Sequence, residues 1–123
     1  VQIGSRFVAT PEASAHQSFK ELVVKIGEGD TELALKQLTP VRLIKNEFYH
    51  QVKTAENAGA SPENLQAILG KGRAKKGMFE GNLEEGELEI GQVSALIHAI
   101  QPAATIVSEI WMEFQAALQH PLK

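Results

Sequence analysis

Val1-Gln2-Ile3-Gly4-Ser5-Arg6-Phe7-Val8-Ala9-Thr10 opens the chain, and its reading decides what the rest can be. β-branched and aromatic residues dominate it, with Gly4-Ser5-Arg6 as an interruption. The pattern predicts a short buried strand ending near Ile3, a turn, and a brief extended piece through Phe7-Val8-Ala9. A strand that begins at residue 1 with no turn before it carries the expectation of a longer parent chain. Glycine after an apolar strand lets backbone N–H groups approach a phosphate closely, and the Ser5 hydroxyl adds a donor. Taken alone, the same pattern also describes a plain tight turn.

Outward from there the signals alternate between helix and strand. Thr10-Pro11-Glu12 has the form of a helix start, and Phe19, Leu22, Val23 and Ile26 predict a helix from about His16 to Ile26, stopped by Gly27 and Gly29. Thr31 to Leu38 places Leu33 and Leu35 on one side of a half-exposed strand, with Val41 to Ile44 as its partner. Phe48, Val52 and Ala55 continue as a helix. Ser61-Pro62-Glu63 then caps another, which carries Leu65, Ile68 and Leu69 and ends at Gly70. Gly70 to Gly86 reads as a loop. From Leu88 a helix is expected through Val93, Leu96, Ile97 and Ile100 until Pro102 breaks it. Pro102 starts a last helix to Gln119, with Ile106, Val107, Ile110, Trp111, Phe114 and Leu118 on one broad apolar face. So few strands cannot cover their own sheet edges, so a partner is expected.

Composition bounds the function. Twelve basic against fifteen acidic residues in 123 give a net charge of −3, with 43% apolar residues. That is the balance of a folded chain, not a disordered one, and it argues against a generally cationic nucleic-acid binder. With no cysteine, disulfides, thiolate metal sites and cysteine nucleophiles are excluded, and a cytoplasmic setting is expected. Ile90 to Ser108 lacks charge but contains Gln92, His98, Gln101 and Pro102, so it reads as buried helix and not as a membrane span.

Gly70-Lys71-Gly72-Arg73-Ala74-Lys75-Lys76-Gly77 packs four cations into six residues without the P-loop pattern. Glu80, Glu84, Glu85, Glu87 and Glu89 offset them nearby, so the ordinary reading is a solvated loop. The sharper reading is a docking patch for an acidic carrier protein or a cofactor phosphate. His16, His50, His98 and His120 lack the spacing of a metal pair, the glutamates lack calcium-loop spacing, and no metal site is expected. Ser94 has no evident triad partners, and no catalytic constellation is complete in these residues.

The opening decapeptide with Ser14-Ala15-His16 and Phe19-Lys20 resembles the C-terminal third of the nitronate monooxygenase (2-nitropropane dioxygenase) family. That family includes flavin-dependent enoyl-acyl carrier protein reductases. Leu38-Thr39-Pro40-Val41-Arg42-Leu43-Ile44-Lys45-Asn46 and Gly86-Glu87-Leu88-Glu89-Ile90-Gly91-Gln92 extend the resemblance across the chain. It implies an α/β fold: the C-terminal part of an FMN-binding TIM (β/α)8 barrel with an inserted, mainly helical small lid domain. Residues 1–9 would be the last barrel strand and phosphate loop, 10–83 the lid, and 84–123 the return helices packing on the barrel. Gln2, Gly4 and Ser5 would contact FMN, and Glu89, Gly91 and Gln92 would line the substrate pocket.

Two departures from the family pattern bear on substrate. Ile90 stands where members place Ala before Gly-Gln, and Glu89 stands where they carry Ser or Met; a carboxylate pointing inward would repel a nitronate anion. The family's catalytic histidine belongs to an upstream strand, so none of the four histidines inherits it. The resemblance implies an FMN-dependent oxidoreductase acting on a nitronate, with enoyl-thioester reduction by NAD(P)H as the alternative. The implied partners are a small-molecule substrate, acyl carrier protein, the rest of the barrel and a second copy in a homodimer; nucleic acid and membrane are not among them. A rival from another class is a non-catalytic helical binding module.

Overall fold

The computed structural model describes residues 1–120, and its architecture turns on one antiparallel hairpin. Strands β1 (Thr31–Ala34) and β2 (Val41–Ile44) pair in register from Thr31↔Ile44 to Ala34↔Val41. The burial departs from the expected alternation, because Leu33 is exposed while Ala34 and Leu35 are buried. Leu35 achieves this by leaving the strand in the left-handed region, φ 55°. Burial of its side chain offsets the steric cost of that conformation.

The free edge of β2 takes up residues 87–90. The Ile44 N–H donates to the Leu88 carbonyl (2.9 Å), the Ile90 N–H donates to the Arg42 carbonyl (3.3 Å), and Leu43 bridges Glu89. The helix expected from Leu88 is therefore absent. An extended segment satisfies the open ladder, Leu88 and Ile90 go into the core, and a short 3₁₀ turn follows at Gln92–Leu96. Val93 and Leu96, assigned to a buried helix face, are exposed instead.

Helix α1 (Ser5–Val8) also corrects the opening. Residues 1–4 form no strand, and Val1 and Ile3 are exposed. A strand needs lateral partners for its N–H and C=O groups, and no described residue pairs with 1–3. Thr10 begins a turn, not a helix, its Oγ1 accepting from the Ala13 N–H at 3.1 Å. Helix α2 (Gln17–Lys25) starts after His16, whose Nδ1 accepts from the Ser18 N–H.

Two apolar clusters result. Phe19 and Val23 of α2, with Ile26 just after it, pack with Ile44, Leu88, Ile90 and Ile97. Helices α3 (Glu47–Asn57) and α4 (Pro62–Leu69) bring Phe48, Tyr49, Val52 and Leu65 onto Ala34, Leu35 and Leu43. Asn46 caps α3 by accepting from the Tyr49 N–H, and its amide donates to the Leu83 and Gly86 carbonyls. Ser61 caps α4 as expected. Residues 70–86 are not merely a loop, since a π-helical turn forms at Lys75–Phe79 and packs Gly77 against Gly86.

Helix α5 (Ala103–Gln119) buries Ile106 but leaves Val107, Trp111, Met112, Phe114 and Leu118 exposed. Trp111 and Phe114 rest ring to ring at 5.5 Å on that open face. Contiguous apolar surface of this kind promotes association. Light scattering is expected to show self-association that grows with protein concentration, and Trp111→Glu should reduce it without loss of helicity. A monodisperse chain with blue-shifted, quencher-protected Trp111 emission would contradict the exposed face.

Candidate active site

Ser5 and Gly91, far apart in sequence, meet directly. The Gly91 N–H donates to Ser5 Oγ at 2.9 Å, and a Cβ at residue 91 would lie 2.7 Å from that oxygen, so a side chain there would push the Ser5 hydroxyl aside. The bond places the opening turn beside the end of the extended segment 87–90. Ser5, Glu89 and Gly91 line one cleft of about 410 Å³ with Val8, Pro40, Val41, Arg42 and Ile90. Gln92 lies in a larger neighbouring cleft of about 830 Å³, lined also by Glu28, Gly29, Thr31, Arg42, Val93, Ala95 and Leu96. Gln2 and Gly4 are exposed beside α1, and nothing stands within 4 Å of a Cβ built on Gly4.

Arg42 is the residue the two clefts share. Its Nη1 donates to the Thr31 carbonyl (3.2 Å) and to Thr31 Oγ1 (3.3 Å), which pins the guanidinium. Sequence reasoning quoted Arg42 within a matching segment but gave it no role. Strand alternation in Val41-Arg42-Leu43-Ile44 was the available signal, since it sends Arg42 to the opposite face from Leu43.

Glu87 was also missed. It is buried one side of the strand from Leu88, on the same side as Glu89. Burial, reinforced by the hydrogen bond and charge of Glu89 and opposed by Arg73, pushes its carboxyl up to about 7. The folded chain thus holds this proton up to about pH 7, while an unfolded carboxyl releases it near 4.5, so stability falls as pH rises through that window and stays lower above it. Glu87→Gln is expected to stabilise the chain by about 1–3 kcal/mol at about pH 8 and by almost nothing near pH 4.5. Urea midpoints at the two pH values check this, and an equal shift at both would rule it out.

Glu32 works in the opposite direction. Hydrogen bonds from Lys53 (2.6 Å) and the Tyr49 hydroxyl hold its carboxyl down to about 2, so its contribution is lost as pH falls below about 4.5. Burial and the Glu32 bond push Tyr49 up to about 12. This group ties β1 to α3 and lines neither cleft.

The other candidates are structural. Arg73 donates to the Ile68, Leu69 and Glu85 carbonyls and sits 4.8 Å from the Phe48 ring centroid. Lys76 pairs with Glu85 and Lys75 with Glu80, both exposed contacts of small energetic weight. Ser94 Oγ is buried without a hydrogen-bond partner among the described residues, so it is not presented to either cleft. Among the described residues no group of three His, Cys, Asp or Glu side chains could hold a metal, and no helix is long and apolar enough to cross a membrane.

Comparison with solved structures gives a close match in shape. FabK from Thermotoga maritima superposes with a TM-score of 0.88 at 31% identity, covering 98% of this chain and 38% of that one. A single-substitution mutant of FabK from the same organism gives 0.78 at 28% identity, covering 98% and 35%. The chain therefore spans a little over a third of the FabK chains it matches. The family model described as nitronate monooxygenase matches residues 1–113. On that match, which takes in the opening turn, the hairpin and both clefts, the chain belongs to the nitronate monooxygenase family.

Proposed function

We propose that this chain supplies the flavin-phosphate turn and part of the substrate cleft of an FMN-dependent oxidoreductase. In this reading residues 1–9 join a (β/α)8 barrel, 10–83 form a lid and 84–123 return to the barrel. The observation that carries it is the Ser5–Gly91 hydrogen bond, which joins the turn suited to a phosphate to the segment suited to a substrate. The residues fit such a group. Ser5 Oγ accepts from Gly91 and keeps its own proton to donate, while Gly4 leaves its backbone open to close approach. Gln2, exposed beside them, would add side-chain donors. FMN held there would supply the two-electron redox chemistry.

The likeness to FabK supports reduction of an enoyl thioester by NAD(P)H over oxidation of a nitronate. Oxygen consumption with a nitronate, set against NAD(P)H oxidation with an enoyl thioester, separates the two. For the flavin turn, Ser5→Asp in the enzyme carrying this segment is expected to strip most FMN, at roughly a few kcal/mol, while Lys75→Ala retains it. An unchanged flavin-to-protein ratio in the Ser5→Asp enzyme would sink the assignment.

A further inference from the structure

The larger cleft presents a combination that neither the flavin turn nor the Glu89 pocket uses. Arg42 is half-buried, and Thr31 occupies only its Nη1. A guanidinium has five N–H donors, so the Nε and Nη2 hydrogens remain without a protein acceptor among the described residues. No carboxylate of the described residues stands within ion-pair distance of it. A pinned, half-desolvated fork of this kind matches the two oxygens of a phosphate or carboxylate. Across the same cleft the 3₁₀ turn holds out Val93 and Leu96, 51% and 74% exposed, as an apolar wall. Glu28 lines the cleft too and opposes a bare anion.

We propose that this cleft is an anion subsite in which Arg42 holds a phosphate ester while the adjacent apolar segment of the ligand lies on Val93 and Leu96. It deepens the oxidoreductase reading and rests on it for its place in a reaction, but binding itself needs no flavin. Arg42 acts as a positioning and specificity residue: it fixes one end of a ligand whose remainder reaches, past Gln92, towards the Ser5 cleft. The phosphate could come from a phosphopantetheine thioester or from a nicotinamide nucleotide. The apolar wall then discriminates between them.

The test is a titration of the ¹⁵N-labelled 123-residue chain with hexyl phosphate, followed at Arg42 Nε and at the Gly29, Gln92 and Leu96 amides. Trp111 fluorescence, read in parallel, reports any separate binding to the open face of α5. Saturable shifts at the cleft are expected, with 1-hexanol and inorganic phosphate each binding about tenfold or more weakly. Arg42→Gln should weaken binding about tenfold and Glu28→Gln should tighten it about threefold, with the Leu88 and Ile44 amides unmoved in both. Tighter binding of hexanoyl phosphopantetheine than of nicotinamide mononucleotide assigns the ligand to the thioester, and the reverse order assigns it to the nucleotide. In the enzyme carrying this segment, Arg42→Gln should raise KM for that ligand about tenfold with kcat within twofold. Because the titration contains no flavin and the flavin ratio of Ser5→Asp does not involve Arg42, either idea can fail alone. Cleft shifts that persist in Arg42→Gln, hexanol binding as tightly as hexyl phosphate, or a KM unmoved by Arg42→Gln would overturn the proposal.

Discussion

Gly86→Ala is expected to lower stability by about 3 kcal/mol or more, the largest effect of any single methyl in this chain. A Cβ at residue 86 would stand 2.1 Å from Gly77 Cα, 2.6 Å from Gly77 N and 2.5 Å from the Asn82 carbonyl oxygen. All three are backbone atoms, so no side chain can turn aside to make room. Relief requires the π-helical turn to move off the 82–86 turn, which also disturbs the Gly86 carbonyl that accepts from Asn46. Since Glu87 follows directly, the damage reaches the strand that walls the smaller cleft. Urea denaturation measures the effect. Gly4→Ala, where nothing lies within 4 Å, is the control expected to stay within about 0.5 kcal/mol. A Gly86→Ala midpoint matching the control would show the close approach to be dispensable.

The second large effect is expected at Phe48. Its side chain is fully buried at the centre of the α3–α4 cluster, and truncation to Ala removes a ring that the surroundings cannot replace. The cost is about 3–5 kcal/mol. Part of it comes through Arg73, whose guanidinium lies over the ring and is held there by the carbonyls that end α4. Phe48→Leu keeps most of the apolar volume but loses the cation–π contact, worth about 1–2 kcal/mol for a buried ring under a half-buried guanidinium. Comparing Phe48→Leu in the native and Arg73→Met backgrounds isolates that portion. If Phe48→Leu costs as much with Arg73 as without it, the stacking contributes nothing and Arg73 serves only as a carbonyl clamp.

Helices α3 and α4 were legible because their signals are local. Asn46 and Ser61 are cap residues, and apolar residues recur at three- and four-residue spacing behind them. The hairpin was legible for the same reason, apart from the face it presents. Leu33 and Ala34 exchanged their expected roles because what packs on each face lies elsewhere in sequence. The segment after Gly86 was misread for a related cause. Leu88, Val93, Leu96 and Ile97 satisfy a helical period by eye, but the unpaired edge of β2 outbids a helix for the backbone of residues 87–90. The glycines at 77 and 86 read as loop punctuation, whereas they serve close packing. At the candidate site, Ser5, Glu89 and Gly91 were reached through resemblance. Arg42 and Glu87 follow from alternation once the extended run of residues 87–90 along β2 is known.

The Ser5–Gly91 bond closes a loop of 86 residues, and that has a kinetic consequence. Contacts between residues so distant form slowly, because the entropy of closing the intervening chain is lost before the contact returns anything. The hairpin, α3 and α4 are assembled from neighbours and can be in place while the opening turn is still free. The α1 turn with Ser5 facing Gly91, like the contacts of Arg6 and Ala9 with Gln101, forms after these local elements. During synthesis it must wait until residue 91 has left the ribosome. The two halves of the candidate site thus come together later than the α3–α4 cluster, whose members lie close together in sequence.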